Sequence, residues 1–342
     1  MSNQQQTLHT YLELVNRYPS PHNGQPIRLK PLAEGRFEVY FERSRGLQLS
    51  EISYIFSFVS MGVFMRHLAL CAEALGHSLD YELSLPKVTE LRGEGPVRFA
   101  MATLQWDVGT ADEALHKALQ FRQTSRKKYH QGVTDEVAAA VVELAAKVHM
   151  KLTRLSAPQA KQAVWLNQRA VFDDMFDEPV RLELDHWLRY SQAEKQAKRD
   201  GLSYDCMELN GRSMKWIVAH PKILRAPGIS WLLKQYYLRT MTDSSDVFYM
   251  LAPFRTERQS FDVGLTIMDM WTQISAQGYY LHPFGTIMSN QAAHRDFLEL
   301  AGVHDESLAE NYLVFIFRAG TSAPPVPSLR LDYTQHLLME ES

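Results

Sequence analysis

Two glycine pairs recur in this chain at the same separation, and each pair frames an apolar stretch that predicts a helix ended by glycine. The pairs are Gly62 with Gly76 and Gly264 with Gly278. Runs with β character lie before and after each helix, at residues 36–42 and 97–106 and at residues 246–253 and 311–320. The order strand, helix, strand therefore occurs twice, and it predicts two copies of one α+β unit. In such a pair the seam between the copies is a usual place for a ligand.

The size and charge of the chain agree with a folded, duplicated protein. Its 342 residues are 45% hydrophobic and 22% charged, and the net charge is −3 from 36 basic and 39 acidic residues. This balance argues against a nucleic-acid partner, so any anion site must be local. We expect one half at residues 1–110 and the other at residues 111–342, together forming an intrachain pseudo-dimer.

The two cysteines and the apolar segments indicate an intracellular protein. Cys71 lies in the first repeated helix and is interpreted as a small buried hydrophobe, since no CxxC motif accompanies it. The N-terminus lacks the pattern of a signal peptide, and the apolar stretch 52–65 is too short to span a membrane. We therefore expect a cytoplasmic protein without a membrane partner.

Helical spacing and capping residues predict the remaining elements. Helices are expected at residues 8–18, 110–123, 134–150, 158–170, 182–199 and 333–340, and a hairpin at residues 27–42. Residues 200–240 are the least regular part and are rich in aromatic side chains. This insertion either covers a site or only adds packing.

A basic motif, Arg122-x-Thr124-x-Arg126, is followed by Lys127 and Lys128. Two guanidinium groups around a hydroxyl suit a phosphate monoester, because arginine bonds oxygen pairs in a fork and the hydroxyl adds a neutral donor. A solvated surface loop is the alternative interpretation of the same residues.

Two further segments could contact a flat ligand. The loop at residues 19–26 holds Ser20, His22, Asn23 and Gln25 between prolines, and its polar groups suit the edge of a heterocycle. The alternative is a turn whose side chains bond their own backbone. Residues 278–285 combine glycines with aromatic side chains, which could form the wall of a ligand site or simply a helix end and core cluster.

Several well-known signatures are absent from the sequence. There is no GxGxxG, GxxxxGK[ST], HExxH or GxSxG motif. His67 and Cys71 share a helix face, and we interpret them as a core pair rather than metal ligands. No metal site is expected.

Taken together and in this order, the motifs resemble those of the flavin-dependent nitroreductase family. The segment "RQTSRKKYHQGVTDEVAAAV" is similar to the opening motif of that family, and "SPHNGQP" to its Ser-x-His-Asn-x-Gln-Pro loop. The glycine-bounded helices resemble its central helix, and "FRAGTSAPPVPSLRL" its closing strand and proline-rich arm. Because the Asn-Gln loop precedes the arginine motif, the chain resembles the internally duplicated, single-chain subgroup.

The resemblance implies a nitroreductase-like α+β fold and a site for FMN. It assigns the phosphate and ribityl chain to Arg122, Thr124 and Arg126. The remaining implied contacts are Arg330 and Arg318 at the phosphate, Ser20, His22, Asn23 and Gln25 at the isoalloxazine, and Pro283, Phe284 and Gly285 near flavin N5.

The implied activity is reduction of a small organic acceptor, nitroaromatic or quinone-like, with NAD(P)H as the electron donor. No side chain is required as acid or base, so the catalytic residues stay unassigned; His22 and Tyr279 are candidates for proton delivery, with wall or packing roles as the alternative. A flavin-storing protein with a closed lid, and a flavin dehydrogenase or oxidase acting on a biosynthetic intermediate, are the alternative functions. A flavin-free interaction protein is a further one. Internal duplication predicts a monomer or a weak homo-oligomer.

Overall fold

The chain has a mixed helix-and-sheet fold that divides into two compact units. The computed structural model describes residues 3–47, 49, 51–241, 245–304 and 310–338. Unit 1 consists of Met1–Arg122, Arg255–Thr272 and Leu329–Ser342, and unit 2 of Gln123–Phe254 and Gln273–Ser328. This division differs from a single cut near residue 110, because unit 1 also takes two later segments of the chain.

Unit 1 contains a four-stranded antiparallel sheet with the order β1-β2-β4-β3. Its strands are β1 (Ile27–Pro31), β2 (Arg36–Glu42), β3 (Ser78–Leu83) and β4 (Pro96–Gln105). Its helices are α1 (Asn3–Val15), α2 (Glu51–Ala74) and α3 (Glu113–Phe121). The predicted hairpin is confirmed, since β1 pairs with β2 and places Ile27 opposite Phe41.

Unit 2 contains a sheet with the order β10-β11-β9-β6, and its strand β5 also pairs with β11. Its strands are β5 (Tyr129–Gln131), β6 (Lys151–Arg154), β7 (Leu188–Arg189), β8 (Leu202–Ser203), β9 (Asp246–Ala252), β10 (Tyr280–Pro283) and β11 (Tyr312–Ser322). Its helices are α4 (Asp135–Lys147), α5 (Ala157–Asp174), α6 (Glu178–Trp187), α7 (Gln192–Lys198), α8 (Gly211–Ala219), α9 (Pro227–Met241), α11 (Gly285–Ser289) and α12 (Gln291–Leu300). Helix α10 (Glu257–Ala276) carries the chain from unit 1 into unit 2.

The two sheets share one connectivity. Strand β2 leads through α2 to β3, and β9 leads through α10 to β10, while the strand that follows in the chain, β4 or β11, inserts between them. Each neighbouring pair in both four-strand paths is antiparallel. This is the recurrence that the glycine spacing predicts, and the pseudo-dimer itself stays a prediction.

The repeated glycines have two different roles in the structure. Gly76 and Gly278 follow the helices with φ of 79° and 77°, so the predicted left-handed helix ends are confirmed. Gly62 and Gly264 instead lie inside α2 and α10, which begin well before them. A Cβ on Gly62 would overlap the carbonyl oxygen of Phe261, and a Cβ on either glycine would lie within 3.1 Å of the Cα atom of the other. Bare backbone at both positions therefore lets the two helices cross closely.

Ion pairing adds to the packing of these helices. Arg66 on α2 donates to Asp269 on α10 at 2.6 Å and to Glu73 at 2.8 Å. Among the described residues one helical stretch, Ile55–Ala74, is long and apolar enough to cross a membrane, and most of that stretch is buried. Its extent exceeds the apolar run expected from sequence, while its burial is that of a core helix.

The prediction of one continuous helix at residues 182–199 is wrong. Helix α6 ends at Trp187, and the next two residues form β7, which pairs in parallel with β8. A new helix, α7, begins after Ser191, whose side chain accepts from the backbone N–H of Glu194 at 3.2 Å. A capping serine thus interrupts a pattern that is typical of one continuous amphipathic helix.

Residues 200–240 are also more regular than expected, because they include α8 and α9. Their inner faces join α6 and β7 in a separate apolar cluster that includes Leu188, Met214, Val218 and Leu224. The short C-terminal helix predicted at residues 333–340 is a 3₁₀ helix, Tyr333–His336, and residues 339 and 340 lie outside the described range.

Candidate cofactor site

Arg122 is the best-buried residue of the predicted phosphate motif. It is the residue after α3, and its backbone N–H donates to Ala118 in the last turn of that helix. Its side chain is buried, donates through Nη2 to the backbone carbonyl of Arg17, and lies 5.0 Å from the centre of the Trp271 ring. Its Nε atom is buried and has no hydrogen-bond partner among the described residues. The interpretation of this residue as part of a solvated loop is therefore wrong.

Arg17 belongs to the same cluster, and no motif in the sequence singles it out. It follows α1, and its Nη2 donates to the carbonyl of Gln120 at 2.6 Å. Its Nε atom, like that of Arg122, is buried without a hydrogen-bond partner in the described part of the chain. The only signal in the sequence is its position two residues before the proline-rich loop, which does not distinguish it from an exposed arginine.

Arg330 is held in place by its neighbours in the chain. The side chain of Asn23 donates to the carbonyl of Leu329 at 3.0 Å, and Asn16 donates to the carbonyl of Leu331 at 2.7 Å. The backbone N–H of Leu331 donates to Oε1 of Gln25 at 3.0 Å. The Arg330 guanidinium lies 5.9 Å from the centre of the Tyr18 ring. The loop at residues 19–26 therefore positions this arginine from both sides.

The positive charges of Arg17, Arg122 and Arg330 repel one another. Burial, followed by the charges of Arg330 and Arg17, lowers the pKa of Arg122 to about 9. Burial also lowers the pKa of Arg330 to about 10, with Tyr18 acting in the opposite direction and Arg17 in the same one. The pKa of Arg17 is lowered by burial as well. No Asp or Glu among residues that the structure describes forms an ion pair with Arg17 or Arg122.

The loop at residues 19–26 is partly a turn that bonds its own backbone, and partly a source of polar side chains that reach other segments. Ser20 accepts from the backbone N–H of Gln25 at 3.0 Å, so its hydroxyl serves the turn itself. His22, Asn23 and Gln25 all have left-handed backbone, with φ of 49°, 54° and 53°. This unusual run turns the Asn23 and Gln25 amides toward residues 329–331. Both side chains are buried and contact the protein backbone there.

Thr124 and Arg126 belong to unit 2, where the segment around them is held by the sheet. Thr124 forms an isolated bridge with Leu281, and the Ser125 hydroxyl lies 2.7 Å from that of Ser322. Burial lowers the pKa of Arg126, and the charge of Arg318 lowers it further. The described residues provide no carboxylate that pairs with Arg126. The roles that the resemblance assigns to Thr124 and Arg126 stay predictions.

Arg318 is fully buried in β11 and makes several contacts inside unit 2. It donates through Nε to Nδ1 of His282 at 3.3 Å and through Nη2 to the carbonyl of Lys127 at 2.8 Å. Its guanidinium lies 4.3 Å from the centre of the Tyr129 ring. Burial, with the charges of Arg318 and Arg126, lowers the pKa of His282 well below its usual range, so this histidine is a neutral acceptor. These contacts support the segment after the arginine motif.

Pro283, Phe284 and Gly285 form the junction between β10 and α11. Phe284 is buried, and its backbone N–H donates to Ile316 at 2.8 Å, as expected for part of the core. Gly285 is exposed, and a Cβ placed on it would meet no atom within 4 Å. The structure therefore has room for a larger side chain at position 285. The expected location of Gly285 near a flavin ring stays a prediction.

His67 and Cys71 lie in the core of unit 1, which agrees with their interpretation as a core pair. Both are fully buried, and the His67 Nε2 atom lies 3.1 Å from the carbonyl oxygen of Leu14 and 3.5 Å from the Cys71 sulfur. Burial, then the charge of Arg122, lowers the pKa of His67 to about 3, so the ring is neutral. No cluster of three or more His, Cys, Asp or Glu suited to a metal occurs among the described residues.

Comparison with known proteins finds distant structural similarity but no similar sequence. No protein-family model and no curated protein matches the chain. Among solved structures, the chain is similar to the FMN-dependent nitroreductase NfnB from Mycobacterium smegmatis in complex with NADPH, with 16% identity and a TM-score of 0.41. The match covers 65% of this chain and 96% of that one. A similarity at this level carries no argument about the fold or activity of this chain.

Proposed function

We propose that this protein binds FMN and is a flavin-dependent oxidoreductase that reduces a small nitroaromatic or quinone-like acceptor with NAD(P)H. The observation that carries the proposal is the cluster of Arg17, Arg122 and Arg330 in unit 1, in which Arg122 is buried and the other two arginines are half-buried. Two of these guanidinium groups, those of Arg17 and Arg122, retain buried N–H donors and pair with no carboxylate in the described chain. The motifs that resemble those of flavin-dependent nitroreductases include Arg122 and Arg330.

The chemistry of the cluster fits a phosphate group. A buried charge is costly unless it is paired, and several like charges held together add repulsion to that cost. A dianionic phosphate would offset both the cost of the buried charge and the repulsion between the arginines, because it supplies negative charge and oxygen acceptors to the guanidinium donors. Trp271 also has a buried ring N–H without a partner among the described residues, beside Arg122. The cluster is therefore suited to an anion and is destabilising without one.

The residues of the chain would bind and position the cofactor. Arg17 and Arg122 would supply the Nε donors, while Asn16, Asn23 and Gln25 would keep Arg330 in place through the backbone of residues 329 and 331. The Asn23 and Gln25 amides are thus committed to this positioning, which fits the isoalloxazine contacts expected of them less well. The chemistry that FMN supplies when bound is hydride transfer through flavin N5, from NAD(P)H to the acceptor.

The first experiment measures which flavin the purified protein binds. We expect a yellow protein that prefers FMN to riboflavin, which lacks the phosphate. Arg122→Ala should weaken FMN binding about tenfold to a hundredfold, the loss of a charge-assisted bond of about 1.5–3 kcal/mol. Riboflavin binding should change little. Arg36→Ala, at an exposed arginine of β2, is the control and should leave both affinities unchanged.

Two results would contradict the binding proposal: a colourless protein that cannot be loaded with FMN, or an Arg122→Ala variant whose preference for FMN over riboflavin equals that of the wild type. The reductase step has its own test. Anaerobic NADH or NADPH should bleach the flavin absorbance, and a quinone should restore it. A yellow protein that neither nicotinamide reduces would leave FMN binding intact and exclude the reductase activity.

A further inference from the structure

The charge of this chain is distributed unevenly, and one segment is strongly cationic. Between Glu208 and Asp243 there is no acidic residue, while the same stretch contains the basic residues Arg212, Lys215, Lys222, Arg225, Lys234 and Arg239. The net charge of the whole chain is −3, so this segment differs in sign from the average surface. It contains α8, a 3₁₀ turn at Pro221–Arg225, and α9.

The basic side chains of this segment are accessible to an external partner. Five of the six are exposed, and Lys234 is half-buried. None of the six forms an ion pair with a residue that the structure describes. Arg225 and Lys234 rest on the rings of Phe176 and Phe172, with the charged groups 4.0 and 5.9 Å from the ring centres. The charges of the six basic side chains are therefore not neutralised by ion pairs within the described chain.

Large apolar side chains are exposed on the same helices. Trp231 and Leu232 are each 62% exposed, Trp216 50%, Tyr236 48% and Ile229 42%. Ile229, Leu232 and Tyr236 follow the spacing i, i+3, i+7, which places them on one face of α9. An exposed apolar face of this kind beside unpaired cations is uncommon on the surface of a monomer. We call these exposed residues of α8, the turn and α9 the basic aromatic surface.

Part of this surface contacts unit 2, since the Tyr236 hydroxyl donates to the carbonyl of Glu208 at 2.7 Å and Arg225 rests on Phe176, but most of its exposed apolar area lies outside the core. Other side chains of α8, the turn and α9 belong to the apolar cluster described above, namely Met214, Val218, Leu224 and Leu233. Folding of the segment is thus explained by its inner face. The outer tryptophans and aliphatic residues need a different explanation.

We propose that the basic aromatic surface binds the surface of a phospholipid bilayer rich in anionic lipid. Lysine and arginine attract a negatively charged membrane, while tryptophan and tyrosine settle at its headgroup level. Leucine and isoleucine on the helix face can enter the acyl boundary, as in amphipathic helices that lie in the membrane plane. The surface combines all three elements. The overall composition does not predict this partner, because it averages the cationic segment with the acidic remainder.

Charge and apolarity together favour a membrane over two other partners. A second copy of the chain in a two-fold interface would place this cationic surface against itself and oppose like charges. A nucleic acid would match the charge but would leave exposed aliphatic side chains such as Ile229 and Leu232 without a role. An anionic bilayer satisfies both components at once.

The test is cosedimentation of the full chain with vesicles. We expect binding to vesicles of equal parts phosphatidylcholine and phosphatidylserine, weakening as salt rises, and little binding to phosphatidylcholine alone. Replacing Arg212, Lys215 and Lys222 by Gln together should weaken binding about a hundredfold, or about fivefold per cation. Trp231→Ser with Leu232→Ser should weaken it at least about tenfold. Brominated lipid should quench the tryptophan fluorescence of the wild type more than that of Trp231→Ser.

Matched controls separate the surface from general charge and apolarity. The triple variant Lys117→Gln, Lys151→Gln and Lys161→Gln removes the same charge from exposed lysines elsewhere. Trp165→Ser removes a tryptophan that is 47% exposed outside the segment. Both should bind vesicles like the wild type, and circular dichroism should show each variant folded.

Several outcomes would overturn the proposal. These are absence of binding to the anionic vesicles, equal binding to phosphatidylcholine alone, or equal losses in the surface and control variants. Sedimentation velocity showing a dimer that Trp231→Ser dissociates would identify a second copy as the partner instead. A labelled DNA duplex that binds through the same cations, while the vesicles do not, would assign the surface to nucleic acid.

Discussion

At the scale of single residues, the environment of a polar side chain decides its role more than its type does. A motif predicts Arg122, and burial sets it apart from the other basic residues. It lies beside Arg17, and the Nε atoms of both arginines are buried without a hydrogen-bond partner in the described chain. Arg17 has no motif, and the sequence does not reveal it because its partner Arg122 is distant along the chain. The loop around Asn23 and Gln25 is recognisable from its residues, but their contacts with residues 329–331 emerge only in three dimensions.

The burial of His67 leads to a prediction about how the free energy of unfolding depends on pH. Its folded pKa of about 3 lies below the usual value of 6.5. The unfolded chain therefore binds an extra proton between these pH values, and the free energy of unfolding falls as pH drops through that window. From pH 7 to pH 5 this residue alone should remove about 2 kcal/mol. Urea denaturation at both pH values measures the loss.

The variant His67→Gln should retain a side-chain donor for Leu14 and lose this share of the pH dependence. Substitution of His130, an exposed histidine of β5, by Gln is the matched control and should preserve it. An unchanged pH dependence in His67→Gln would mean that the buried ring does not titrate as proposed.

At the scale of elements, close contacts between backbones decide which glycines can be replaced. Gly62→Ala should lower the free energy of unfolding by about 1–3 kcal/mol, even though alanine favours helix, because the new methyl group would overlap Phe261 on the crossing helix. Gly228→Ala is the control, since a Cβ at that glycine of α9 meets no atom within 4 Å. It should stabilise the protein by up to about 1 kcal/mol or have no effect. Thermal and urea unfolding compare the two, and equal effects would refute the close helix crossing.

The segment 329–331 provides a second prediction at this scale. Gln25→Ala removes the acceptor of the Leu331 N–H, so that amide should exchange with deuterium about fivefold faster, the effect of about 1 kcal/mol. Gln159→Ala removes a comparable side-chain bond to the carbonyl of Leu300 and serves as control. Exchange at residue 331 should not respond to the control. If Gln25→Ala leaves it unchanged as well, the loop does not position Arg330.

At the scale of the whole molecule, the chain divides by contacts rather than by sequence order. Unit 1 needs residues 255–272 and 329–338 in addition to its long N-terminal segment. A fragment of residues 1–110, the first half drawn from sequence, would leave the crossing face of α2 around Gly62 without its α10 partner. We expect that fragment to lack the near-ultraviolet dichroism of packed aromatic residues, which the full chain should show. A fragment with native-like dichroism would show that the first half folds without α10.

Most of the local structure can be predicted from the amino-acid order alone. Helix ends at Gly76 and Gly278, the hairpin of β1 and β2, and the cap at Thr134 follow from short-range rules that involve neighbouring residues. The motifs around Arg122 and Asn23 are recognisable in the same way. The errors, such as the single helix at residues 182–199, occur where a cap and a strand pairing override periodicity.

Which of these residues act together depends on the three-dimensional fold. The fold creates the crossing at Gly62 and Gly264, places Arg17 beside the buried Arg122, and uses Asn23 and Gln25 to position Arg330. The physical reason is that burial and electrostatic repulsion depend on distance in space, and the groups concerned are separated by up to hundreds of residues along the chain. Hydrophobic periodicity and capping act over a few residues, so they carry no information about such partners.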